Sequence, residues 1–367
     1  MAHTGLAGHD DLDAIRWIAV RHGPDHIHIA ATLVRQDGRT ETAFRDYLRT
    51  RTAAQDIERR YGLRQTAPAD RTAVRRPTSN ESRKATRQRR AEAPRDRLRR
   101  EVRHAAAAAD TENEFFDRLH QAGVIVKVRH SQHDNNQVTG YAVALPDATT
   151  AGGDPIFYSG GKLAADLTLP KLRHRWQSPA ATTWTTPAKP ATRGQTYAYA
   201  AEQIRTATHR IKTDGQADDG EADAAAMAAA DVLTVTARKF EGHRRGPLNR
   251  AAEQLDRAAR LPHGRSARTT GHSQQLRSIS RLIAAMGTPV GDRTLHTVMK
   301  LLIDLRRLAD TLAILRQSQL RLHQARAARQ AAALLRTITG PTASSRTIAG
   351  PDRRRPIVRM PRPSRHR

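Results

Sequence analysis

Cysteine is absent from all 367 residues, which removes disulfides and thiolate metal ligands together. Acidic residues are scarce: 36 Asp and Glu stand against 63 Lys and Arg, leaving a formal charge of +27. Such an excess favours a polyanionic partner, with nucleic acid first among them. Aromatic residues make up 4% of the chain and hydrophobic ones 38%, so alanine- and leucine-lined helices must supply the cores, and long polar stretches cannot repay the entropy of ordering. No apolar run approaches the roughly 20 residues needed to span a bilayer, so no membrane insertion is expected. The opening MAHTGLAGHDDLDA has neither a basic start nor an apolar segment of the export type, and a cytoplasmic location is the expectation.

Against those absences, the pattern of apolar and turn residues predicts an α+β chain in six parts. Residues 1–63 hold two short strands, AIRWIAV and HIHIAATLV, joined by a tight turn at Gly23–Asp25. A helix over about 42–61 follows, with Phe44, Tyr47, Leu48, Ile57 and Tyr61 on one face. Residues 64–95 are Arg-rich and proline-punctuated and read as a basic linker. A small α+β module covers 96–176. In it Thr111 and Glu114 form a capping box, the helix through Phe115 and Leu119 stops at Gly123, and VIVKVR and VTGYAVAL make a hairpin with IFY at its edge. A second linker spans 177–194. Helices are expected within 195–339, near 195–212, 221–243, 247–260, 271–286 and 291–338, and the 3–4 spacing of Leu295, Val298, Leu302, Leu305, Ala309 and Leu312 fits a bundle or a short coiled coil. The tail, 340–367, is basic and without core residues, and reads as disordered.

The chemistry concentrates in RHGPDHIHI, residues 21–29. Side chains alternate along a strand, so His26 and His28 point the same way, about 7 Å apart, while Ile27, Ile29 and Leu33 face the other side. His22, across the turn, can complete a convergent nitrogen set of the kind a divalent ion accepts with positions left open. Spacing alone leaves a second reading standing, three surface imidazoles beside Asp25.

RWIAVRHGPDHIHIAATLVRQDG, followed by RRYGLR, resembles the end of the relaxase domain of mobilization nucleases, the HUH endonucleases, in the versions found in high-GC bacteria. EFFDRLHQAGVIVKVRHS, VTGYAVALP and GGKLAADLTLPKLRHRW extend the likeness to about residue 176. The resemblance implies that residues 1–63 are the C-terminal remnant of a relaxase sheet, with His26 and His28 as the paired metal ligands and His22 as the upstream one. It implies a divalent cofactor, Mg²⁺ or Mn²⁺, although imidazole donors favour Mn²⁺ or Zn²⁺ over Mg²⁺. It further implies metal-assisted nicking and carrying of single-stranded plasmid origin DNA, with other mobilization or type IV secretion proteins as partners. The departure is the nucleophile. The family's tyrosine lies well upstream of the histidine strand, and no tyrosine precedes His22 here. The chain therefore reads as an N-terminally truncated relaxase, Met1 being an internal methionine of a longer frame, or as a split or decayed one; Tyr47 and Tyr61 are expected to pack in the helix face. Without an activated oxygen, a metal gives at most hydrolysis. A non-catalytic, DNA-binding accessory protein is the alternative.

The arginine clusters, Arg75, Arg76, Arg87, Arg89 and Arg90 in the first linker and Arg353, Arg354 and Arg355 in the tail, lack interleaved aromatics, so they should contact phosphates and ignore base identity. His130, His133 and Asp134 have ligand-like spacing inside a polar hairpin loop and read as a solvated turn. Gly160 and Gly161 lack the flanking residues of a phosphate loop and read as a turn. The alanine run near residue 225 signals helix propensity only.

Overall fold

Apolar residues alternating on either side of Gly23 and Pro24 close a hairpin, β1 (Ile15–Arg21) against β2 (Ile27–Arg35), antiparallel with Val20 opposite His28 and Trp17 opposite Ala31. The computed structural model describes residues 2–340 apart from 25, 44–45, 64–65, 67–69, 71, 135, 177–191, 214–218, 263–268 and 289–290. Asp25, Phe44, nearly all of the 177–194 linker and the tail with Arg353, Arg354 and Arg355 thus lie outside the described residues. The chain divides into two units, Met1–Ala73 and Val74–Arg367.

In the first unit, Arg35 ties the end of β2 to its surroundings through a two-pronged pair with Asp11 (2.7 and 2.8 Å) and contacts to Asp37 and Glu41. The hydrogen bonds from Arg35 hold the Asp11 carboxyl below its ordinary value. Helix α1 (Asp46–Arg60) follows. Its expected apolar face is not buried: Tyr47, Ile57 and the following Tyr61 are exposed and Leu48 is half-buried. Among the described residues only Ala7 and Ile15 are buried hydrophobics in this unit, whereas twelve of the fifteen exposed large ones lie between Leu12 and Leu63. Both faces of the hairpin carry them. A two-stranded hairpin in that condition is marginally stable by itself.

The second unit begins inside the stretch expected to be a linker. Thr78 and Glu81 form a reciprocal capping box at the start of α2 (Ser79–Arg87), Ala85 is buried beneath it, and Arg95 and Tyr158 both donate to Glu81. Residues 74–95 are therefore folded, a correction to the linker reading. Helices α3 (Pro94–Ala108) and α4 (Glu112–Gln121) follow, then a sheet in the order β3 (Ile125–His130), β4 (Val138–Ala144), β5 (Tyr158–Ser159), all antiparallel, with β5 at the edge as expected. At α4 only half of the expected box forms: Thr111 accepts from Glu114 N–H, while Glu114 accepts from Asp110 N–H. Gly160 and Gly161 open a short helix, α5 (Gly160–Leu163), where a turn was expected. Helix α6 (Leu169–Trp176) closes a core in which Phe115, Tyr141 and Trp176 meet.

Helices α7 (Arg193–Thr213), α8 (Asp219–Glu241), α9 (Pro247–Ala259), α10 (Gly271–Ala285), α11 (Asp292–Ser318) and α12 (Leu322–Thr339) form a bundle. The single helix expected over 291–338 is two. It breaks at Leu320, whose φ of 57° is left-handed, and α12 returns along α11 and packs on α9. The alanine-rich segment is more than a propensity signal: Ala224, Ala225, Ala226, Ala228, Ala229 and Ala230 are all buried, and these small side chains let α8 touch α3, α7, α9, α10 and α11. Helix α3 belongs to both cores, since Leu98 and Val102 face the sheet and Ala107 and Ala108 the bundle. The α+β module and the helical region are consequently one unit. The carbonyls at the end of α9 need donors, as at any helix terminus. Arg316 Nε donates to Ala258 O at 2.9 Å and Gln324 Nε2 to Ala258 O and Arg260 O at 3.0 and 2.6 Å, with the fully buried Arg316 charge met by Asp223 at 2.6 Å.

Candidate metal centre

His28 is the second residue of β2, and His22 and His26 are the first residues past the paired ends of the two strands. Because Val20 lies opposite His28, the register carries His22 and His26 toward the same face as His28. The three rings do meet there. Their centroids are 5.0 Å (His22–His26), 4.7 Å (His22–His28) and 5.4 Å (His26–His28) apart. One nitrogen from each falls within 4.8 Å of the others, the one such cluster of possible ligands among the described residues, and all three side chains are exposed.

His22 Nδ1 and His26 Nε2 are 2.8 Å apart, so one ring donates to the other. Two nitrogens bound to one tetrahedral ion stand roughly 3.3 Å apart, given metal–nitrogen bonds of about 2.0–2.1 Å. Loading the site thus asks this pair to open by a few tenths of an ångström and His28 to draw in, a small adjustment for exposed side chains at a hairpin end. Three imidazoles and no carboxylate make a donor set suited to Mn²⁺ or Zn²⁺, and three protein ligands leave positions for water or a phosphate oxygen. The residues present fit a divalent cation.

Other expected site residues fall elsewhere. Arg75, Arg76, Arg87 and Arg89 are exposed in the second unit. Arg90 is drawn into the fold, its guanidinium 3.0 Å from Asp147 and bonded to that residue's carbonyl oxygen. His130 ends β3 opposite Val138, His133 and Asp134 lie in the exposed turn after it, where Asp134 accepts from Asn136 N–H, and the three do not form a ligand cluster. Tyr47 and Tyr61 present their side chains to solvent. No helix among the described residues is long and apolar enough to cross a membrane. Comparison with protein families, with characterised proteins and with solved structures finds no match to this chain.

Proposed function

We propose that this is a relaxase-type mobilization protein in which His22, His26 and His28 hold a divalent cation for nicking single-stranded plasmid origin DNA, and which hands that DNA to other mobilization or secretion proteins. The observation that carries the reading is the meeting of three imidazoles, from both arms of the hairpin, at one solvent-open point. When bound, the cation supplies charge stabilisation on the scissile phosphate's oxygens. The histidines fix its place, and the exposed Arg75, Arg76, Arg87 and Arg89 supply phosphate contacts that are blind to sequence. The attacking oxygen in the mobilization nucleases this chain resembles is a tyrosine's, and no tyrosine precedes His22 here, so the cleavage expected of these residues is metal-assisted hydrolysis. Mn²⁺-dependent cleavage of single-stranded origin DNA by the full chain, lost in His26→Ala and in His28→Ala, is the expected result. A chain that binds DNA but does not cut it with Mn²⁺ present would favour a DNA-binding accessory protein instead. The second unit lends that alternative its support, since it has two apolar cores of its own.

A further inference from the structure

Two cavities lined by charged side chains among the described residues of the second unit differ in kind. The one between α3 and α9 is closed on its own charges: Arg103 meets Asp256 and Asp166, Arg245 meets Glu253, and Arg100 meets Glu92. The other, of about 150 Å³, lies between α7 and α11 and is lined by Arg205, Thr208, His209, Lys212, Asp304 and Arg307. On α7 the basic residues recur at 205, 209 and 212, the spacing that stacks side chains on one face of a helix.

Asp304 is what makes this more than a basic surface. Its side chain is almost wholly buried on α11, and each carboxylate oxygen accepts from a different guanidinium: Oδ2 from Arg205 Nη1 at 2.9 Å and Oδ1 from Arg307 Nη1 at 3.3 Å. Both arginines remain more than half exposed. A guanidinium has five N–H donors, and these contacts use one from each. One buried acid thus fixes two exposed cations, while Lys212 adds a third charge to the same lining. Two ordered guanidinium forks beside a lysine, around a space equal to about five water molecules, suit a tetrahedral oxyanion, which arginine binds with two parallel bonds.

We infer that this cleft is a phosphate-binding site, with Arg205, Arg307 and Lys212 as its contacts and Asp304 as the positioning residue. The site belongs to the second unit, and binding there does not depend on the histidines of the first. Free inorganic phosphate and the backbone phosphates of a nucleic acid present the same chemistry. Titration of the full chain with inorganic phosphate at constant ionic strength, followed by calorimetry, tests the site. The expected result is saturable binding that Arg205→Gln and Arg307→Gln each weaken roughly tenfold, the scale of one lost charge-assisted hydrogen bond. Arg326→Gln, which removes the same charge from an exposed position on α12, should leave it unchanged. All three arginines are exposed, so the variants should fold, and circular dichroism checks that they do. No saturable binding by the parent, or equal losses in all three variants, would overturn the inference. A parallel titration with a single-stranded oligonucleotide names the source: a drop in DNA affinity confined to Arg205→Gln and Arg307→Gln assigns the site to backbone phosphates, and unchanged DNA affinity alongside lost phosphate binding assigns it to the free anion.

Discussion

Glu81 shows how one side chain decides whether a segment is linker or structure. Partial burial by itself raises the carboxyl's pKa, but hydrogen bonds from Arg95, Tyr158 and Thr78 N–H outweigh that and hold it at about 2, against its ordinary value of 4.5. A depressed folded value means that the charged form is the one the fold stabilises, so the contribution is complete above pH 4.5 and is lost as pH falls through about 2. Glu81→Gln should therefore cost about 1–2 kcal/mol at neutral pH, less than the shift alone implies because solvent screens part of the interaction. The gap from the parent should close between pH 4.5 and 2. Urea unfolding across that range checks it, and a gap that stays constant with pH would contradict the role. The signal was present in the sequence as TSNE, the same capping pattern as TENE at 111–114, and the arginines around it concealed it.

Among the elements, the hairpins, the edge strand and most of the C-terminal helices follow directly from apolar periodicity, which is a local property. Features set by tertiary contact do not. The break at Leu320 falls at neither glycine nor proline, so nothing in the residue types announces it; the return of α12 onto α9 requires it. The alanine run reads as propensity until neighbours on every side of α8 show why only small residues fit there. Gly160 is the sharpest case. A Cβ built on it would lie 2.0 Å from the Leu167 carbonyl oxygen and 2.7 Å from the Tyr141 hydroxyl that donates to that same oxygen. Gly160→Ala should accordingly destabilise the second unit by about 1–3 kcal/mol through overpacking. Thermal unfolding of the variant measures this, and an unchanged midpoint would show that α5 shifts freely. At the metal centre, strand alternation places His26 and His28 together, and the hairpin register then adds His22; the 2.8 Å contact between His22 and His26 could not be read from spacing.

Across the whole molecule, charge and core are distributed unequally. The second unit buries two apolar clusters, while the first holds the histidines on a hairpin with two buried hydrophobic residues among those described. A formal charge of +27 should give binding to any DNA, falling linearly in log affinity with log salt by about 0.9 per phosphate neutralised. Deleting 340–367, which carries eight arginines and one aspartate, should flatten that slope by several units; an unchanged slope would mean that those arginines stay in solvent. The claim on which the functional account rests is narrower than this field of charge. Calorimetric titration of the full chain with Mn²⁺ should show one binding event, weakened at least about tenfold by His26→Ala and by His28→Ala and untouched by His133→Ala, since each lost nitrogen removes one of three protein ligands. Absence of binding in the parent, or equal loss from all three substitutions, would contradict it.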